Sequence, residues 1–279
     1  MKIVPLAFDS MGTRSMATFI KTDVGILIDP SASLAPKRYG LPPHEKELKM
    51  LERHWKRIKT YSNLADVIVI THYHYDHHSP LTPEIYENKV VLVKHPRMKI
   101  NRSQKFRASR FLSIISEIAK SVEFADGRNF IFGNTSIRFS PPIPHGASEK
   151  LGFVLELSIS DDSEIAVFTS DIQGAPMSEH ISFIIESSPD IIIMDGPMSY
   201  MLGHAFSEEN MKNSIENIRR VMEETDVKRF VLDHHLLRDL NWERHLGELR
   251  KRILTAAEFR GMKNNLLEAR RRELFGGDV

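Results

Sequence analysis

Val67-Ile68-Val69-Ile70-Thr71-His72-Tyr73-His74-Tyr75-Asp76-His77-His78 is the stretch on which the fold turns. Its first four residues are β-branched, apolar and bounded by polar neighbours, which predicts a short buried strand. Five metal-binding side chains, His72, His74, Asp76, His77 and His78, then follow within seven residues. Imidazoles and a carboxylate placed where a core strand opens into a loop form a rigid holder for metal. Zinc, iron or manganese suit such ligands. His72 and His74, one residue apart, can turn to one ion, and Asp76 and His77 can serve a neighbouring one.

On the N-terminal side, Lys2 to Phe8, Met16 to Thr22 and Gly25 to Ile28 read as strands, the last two joined by the turn Thr22-Asp23-Val24-Gly25. The third runs into Asp29-Pro30-Ser31. Leu48, Leu51, Trp55 and Ile58 then recur at helical spacing among Lys and Arg. They predict an amphipathic helix in an insertion near residues 40–63, started by Pro42-Pro43. His44 and His54 lie there with no companions to complete a ligand set, so they read as surface or packing residues.

On the C-terminal side, a helical turn over Glu84 to Asn88 precedes a strand over Val90 to Val93. Val122 to Ala125, Asn129 to Phe132 and Ser136 to Ser140 follow as strands, joined by the hairpin pairs Asp126-Gly127 and Gly133-Asn134. Pro141-Pro142-Ile143-Pro144-His145-Gly146 holds a histidine in a proline-stiffened loop. Leu151 to Ser160 and Glu164 to Thr169 read as a hairpin over Asp161-Asp162-Ser163, whose second strand runs into Ser170-Asp171. Ile191 to Met194 ends in Asp195-Gly196-Pro197, with His204 beyond it. Ser207 is placed to cap a helix carried by Ile215, Ile218, Val221 and Met222 to about Glu224. Arg229 to Leu232 then delivers Asp233-His234-His235. From Trp242 the chain reads as a helical segment over 241–275, and Gly276-Gly277-Asp278-Val279 is expected to fray. No linker divides the chain, so residues 1–279 read as a single domain.

The balance of 41% hydrophobic and 27% charged residues is that of a soluble globular protein. Without cysteine no disulfide forms, and metal must be held by His and carboxylate alone. No secretory leader and no membrane-length apolar run is evident, which predicts a cytoplasmic location. Lys plus Arg is 38 against Asp plus Glu 37, yet Asn88 to Ser116 carries eight basic residues and no acidic one. They are Lys89, Lys94, Arg97, Lys99, Arg102, Lys105, Arg107 and Arg110. The stretch reads either as a solvated face or as a positive rim for an anionic small molecule or nucleic acid.

His72-x-His74-x-Asp76-His77 resembles the signature of the metallo-β-lactamase superfamily, whose members are mostly binuclear metal hydrolases. The whole chain is similar to a largely archaeal branch of that superfamily. The resemblance implies an α/β fold of αββα type, two mixed sheets packed face to face with helices outside. It implies His72, His74 and His145 on one ion, Asp76, His77 and His234 on a second, and Asp171 bridging both. Asp29 would support the metal loop by hydrogen bonding. His235 is the alternative to His234, since two side chains in an extended segment point opposite ways. Asp195 and His204 loosely resemble a proton-handling pair of members that process transfer-RNA precursors, and with Asp76 they are the candidate catalytic residues. The expected cofactors are two divalent ions, zinc before iron or manganese. A water between two cations loses its proton near neutral pH and becomes the nucleophile. A phosphodiester is the favoured substrate. A lactone, thioester or amide is the alternative, and a metal-binding scaffold without turnover is the third reading.

Overall fold

The computed structural model describes residues 1–277; Asp278 and Val279, the end of the stretch expected to fray, lie outside the described residues. The first sheet is six-stranded, in the order β1 (Lys2–Pro5), β2 (Thr18–Lys21), β3 (Gly25–Ile28), β4 (Val67–Ile70), β5 (Val90–Val93), β6 (Ser121–Phe124). β1 to β3 form an antiparallel meander, and β3 to β6 are parallel. The remaining strands are β7 (Asn129–Phe132), β8 (Thr135–Phe139), β9 (Ile143–Pro144), β10 (Phe153–Val154), β11 (Leu157–Ser160), β12 (Ile165–Phe168), β13 (Ile191–Asp195), β14 (Arg229–Asp233) and β15 (Ile253–Leu254). Seven of these make the second sheet, in the order β15-β14-β13-β12-β11-β8-β7, while β9 and β10 pair separately.

Continuous apolar runs such as Val67-Ile68-Val69-Ile70 follow from burial on both faces. Val67 and Val69 point between the sheets with Ile28, Phe139, Leu157 and Val231. Ile68 and Ile70 point outward, where α1 (Glu45–Ser62) and α2 (Arg102–Ile115) add Ile58, Ala108 and Phe111. On the other side α3 (Glu179–Ser187) and α4 (Glu208–Glu224) bring Ile181, Ile184, Ile218 and Val221 onto Ile192 and Met194. The layers are helix, sheet, sheet, helix, which is the expected αββα sandwich. No described helix is long and apolar enough to cross a membrane.

Several local expectations are corrected. Asp126-Gly127 closes no hairpin: β6 pairs only with β5, and β7 belongs to the second sheet. The Asp126 carboxylate instead takes Lys94 Nζ and His95 N–H, which turns the chain from one sheet to the other. Lys94 is therefore fully buried, and it drops out of the basic rim. The strand expected over Leu151 to Ser160 breaks at Leu155-Glu156, because β10 pairs with β9 and β11 with β8. The 241–275 segment is not continuously helical. Gly247 interrupts it with φ +53°, β15 extends the sheet beside β14, and only Glu243–Leu246, Ala256–Phe259 and Arg271–Leu274 are short α-helices. α3 was not foreseen, although Ile181, Ile184 and Ile185 carry helical spacing.

His44 and His54 have structural work. The His44 ring accepts from Lys46 N–H, and the His44 backbone N–H donates to the Glu47 carboxylate, capping α1 at both groups. His54 is buried, with Nδ1 2.6 Å from Thr13 Oγ1. Ser207 caps α4 as expected, accepting from Asn210 N–H.

Candidate metal centre

Every group of the centre leaves the C-terminal end of a strand or the loop after it. β3 delivers Asp29, β4 the metal loop, β12 Asp171, β13 Asp195 and β14 His234-His235, while the loop after β9 delivers His145. Chain direction is shared by the parallel strands, so these ends gather on one edge of the sandwich. The backbone is held in the left-handed region at Asp29 (φ +46°), Ser170 (φ +58°) and His234 (φ +59°), where side chains with a Cβ are strained. Gly146, after His145, has φ +79°, and a Cβ there would clash with the Gln173 side chain.

Asp171 is the hub. Its Oδ2 lies 3.2 Å from His145 Nε2 and 3.5 Å from His72 Nε2. Its Oδ1 lies 3.0 Å from His77 Nε2 and 3.4 Å from His234 Nε2. One carboxylate thus offers a separate oxygen to each of two imidazole sets. Ligand atoms of His72, His74, His145 and Asp171 all fall within 4.8 Å of one another, as do those of Asp76, His77 and His234. His72 Nε2, His77 Nε2, His145 Nε2 and Asp171 Oδ1 are buried without a properly formed hydrogen bond. Burial without a partner is costly for such atoms, and a divalent cation in each set would satisfy them.

Charge is distributed to suit cations. Burial, then His77, drives the His72 imidazole well below its ordinary pKa, and burial with His145 lowers His74 to about 3. Both stay neutral, as ligands must. Burial works against ionisation of Asp171, but His77, His234 and His72 outweigh it and hold the carboxyl well below the usual range. Burial likewise opposes charge on His77, yet Asp171 and Asp29 raise that ring to about 10.

Buried carboxylates orient the rings from behind. Asp29 accepts from Thr71 N–H (2.8 Å), Thr71 Oγ1 (2.6 Å) and the His77 Nδ1 side (2.8 Å). Asp9, which sequence reasoning missed, stands 2.7 Å from His234 Nδ1 and also takes Arg238 Nε at 2.9 Å. Asp9 ends an apolar N-terminal run much as Asp29 ends β3, and that likeness was the available signal. Arg238, also missed, is buried with one guanidinium nitrogen 3.8 Å from Asp76 Oδ2. The carboxylate of the metal loop, Asp76, keeps its side chain 16% exposed and opens toward solvent.

Two expectations about the last motif change. His234 and His235 are not in an extended segment: β14 stops at Asp233, and His234–Arg238 form a 3-10 turn. Both rings therefore face Asp171, with centroids 4.5 Å apart. His234 faces Asp171 and Asp76, whereas His235 Nδ1 lies 2.9 Å from both Asp195 oxygens. The pair drawn between Asp195 and His204 does not form. Asp195 is filled by His235 and by Gln173 N–H, and His204 sits exposed in its loop. Burial and Asp171 push the Asp195 carboxyl up, while burial and Arg238 push His235 down.

No protein-family profile matches the chain. A UPF0282 protein of Sulfurisphaera tokodaii is 49% identical over 287 residues, covering 99% of this chain and 93% of the relative. A UPF0282 protein of Korarchaeum cryptofilum is 46% identical, covering 99% and 94%. Among solved structures, a possible metal-dependent hydrolase of Veillonella parvula superposes with TM-score 0.56 at 14% identity, over 88% of this chain and 94% of the other. A metal-dependent hydrolase of the β-lactamase superfamily gives 0.54 at 14% identity, over 91% and 94%. Zn(2+)-bound PqqB of Methylobacterium extorquens gives 0.51 at 10% identity, over 91% and 98%. These structural likenesses bear on the fold.

Proposed function

We propose that this chain, which belongs to the UPF0282 family and has the metallo-β-lactamase fold, is a hydrolase that uses two divalent ions, zinc first among them, on a phosphodiester. The observation that carries the reading is Asp171, whose oxygens face different imidazole sets. His72, His74 and His145 would hold one ion, Asp76, His77 and His234 the other, with Asp171 between them. Histidine-rich sets suit zinc, and one solved structure of this fold, PqqB, holds it. The ions would supply Lewis acidity, lowering the pKa of water and offsetting charge that builds on substrate oxygen.

The chain's own residues do the rest. Asp29 and Asp9 fix the tautomers of His77 and His234, so that Nε2 of each faces the centre. His235 replaces His204 as the group placed to handle the proton of the leaving oxygen: Asp195 engages its Nδ1 and leaves Nε2 free. Arg107 lies over the Tyr75 ring, with a guanidinium nitrogen 3.4 Å from Tyr73 O, which puts a cation directly on the metal loop. Arg97, Lys99, Arg102, Lys105 and Arg110 are exposed nearby on α2 and the segment before it. That local excess favours an anionic substrate.

The test is turnover of a bis-aryl phosphodiester, a thioester and a lactone by metal-reconstituted protein over a salt series, with the Arg102→Gln, Lys105→Gln, Arg107→Gln triple variant alongside. Phosphodiester cleavage that falls with salt and in the variant is expected. Thioester or lactone cleavage indifferent to both would transfer the reading to carbonyl substrates. Asp171→Ala is expected to lower the content of both ions; full metal content in that variant would end the bridging assignment.

A further inference from the structure

A cavity lies beside the metal loop, and none of the seven proposed ligands lines it. It encloses about 730 Å³, within the range of small-molecule sites. α1 forms one wall with Leu48, Leu51 and Trp55, the segment after β3 a second, and the outer side of the metal loop, through Tyr75 and His78, a third. The lining is overwhelmingly apolar, yet it is poorly covered: Leu81 is 79% exposed, Leu48 53% and Tyr75 43%. Apolar surface gathered in a concavity, rather than scattered singly, marks a place where something binds.

Charge narrows the occupant. Two cations line the cavity, Lys59 and Arg110. Lys59 is engaged by Glu84 at 2.7 Å. Arg110 is exposed, and its guanidinium makes no ion pair or hydrogen bond among the described residues. Arg107, one turn earlier on α2, adds a cation over the Tyr75 ring. No acidic residue lines the cavity. We infer that this cavity binds an amphipathic anion, an acyl or aryl body with a single carboxylate or phosphate head. The body would lie along Leu48, Leu51 and Trp55, and the head would meet Arg110. The volume and the three walls fit a small molecule better than a helix or a second copy of the chain. Tyr75 stands between His74 and Asp76, so the occupant would touch the metal loop without entering the centre. The inference is independent of the hydrolase reading, because binding alone reads it.

The chain carries two tryptophans, and only Trp55 lines the cavity; Trp242 is buried in the core behind the second sheet. Trp242→Phe in the metal-loaded protein therefore leaves Trp55 as the reporter. Dodecanoate and dodecyl phosphate, titrated below their micelle-forming concentrations, are expected to shift Trp55 emission to the blue with saturation. Dodecanol should bind more weakly. Arg110→Gln should weaken both anions by about tenfold, the scale of one lost charge-assisted hydrogen bond. Leu81→Asp, at an exposed position, should weaken them by placing a like charge at the mouth. No saturable change with either anion would overturn the site. Dodecanol binding as tightly as dodecanoate, with Arg110→Gln without effect, would overturn the anionic head.

Discussion

Asp29→Asn separates holding the metal loop from setting the chemistry of its histidine. Asp29 Oδ1 accepts from Thr71 N–H, and Oδ2 faces both Thr71 Oγ1 and His77 Nδ1. Asparagine keeps the acceptor for Thr71 N–H, so no buried backbone donor is orphaned. At the other position it presents an N–H to His77. The ring must then accept at Nδ1 and carry its proton on Nε2, the nitrogen that faces Asp171 at 3.0 Å. A protonated nitrogen cannot ligate. The expected loss is at the upper part of the ~10–100-fold range found when such a supporting carboxylate is removed, about 2–3 kcal/mol of metal binding. The metal-free variant loses the charged partner of His77 but keeps the bond to Thr71 N–H, so it should unfold in urea closer to wild type than Asp29→Ala does. Asp29→Ala, by contrast, also orphans Thr71 N–H, at a cost of about 1–3 kcal/mol, and should lose stability as well. Metal affinity is read by competition with a chromogenic chelator, and stability by urea unfolding of the metal-free forms. Asp29→Asn that binds metal within about threefold of wild type, against the ~10-fold floor, would refute the tautomer reasoning.

His234→Ala should lose metal, while His235→Ala should keep both equivalents by elemental analysis and lose rate, most with poor leaving groups; equal metal loss in both would make His235 a ligand. His54, buried and lowered to about 3 by burial and then Arg57, binds a proton in the unfolded chain before the folded one. Its contribution is complete above its ordinary value of 6.5 and is lost as pH falls below it, at up to about 1.4 kcal/mol per unit. His54→Gln should therefore flatten the urea-measured stability profile between about pH 6.5 and 5 relative to wild type, and parallel profiles would count against it. Arg271 is fully buried and doubly paired with Glu47 at 2.7 and 2.8 Å, tying the C-terminal segment to α1. Arg271→Met should cost about 3–5 kcal/mol, and adding Glu47→Leu should restore much of it; additive losses in the double variant would show the pair to be uncoupled.

The layers were legible because burial on both faces leaves an unmistakable trace. Val67 to Ile70, Ile191 to Met194 and Arg229 to Leu232 each lie in a parallel pairing, and the structure moves their limits by at most a residue. Pairing partners were not legible in the same way. Asp126-Gly127 has hairpin chemistry, but Lys94 and His95 claim the aspartate and send the chain to the other sheet. The C-terminal stripe of Trp242, Leu246, Leu249 and Ile253 fits a helix as well as it fits what forms. What decides is that Ile253 finds a place beside Phe230 at the edge of β14, a tertiary contact absent from local pattern.

For the centre, residue types at strand ends could be read, and their mutual direction could not. The pairing of Asp195 with His204, nine positions further on, rests on a loose family resemblance that carries no cross-strand geometry. In the sheet, Asp195 lies in register with Asp233, so a residue just past Asp233 is nearer to it than anything in its own following loop. His235 sits there, and the 3-10 turn after Asp233 swings it back onto the carboxylate. Asp9 reaches His234 by the same kind of route, from 225 positions away, across a contact between two loops. Adjacent parallel strands that each end in a titratable residue therefore call for the cross-strand partner to be sought before the sequential one. On that ground His235, with Asp195 behind it, has a stronger claim than His204 to the proposed proton-handling role.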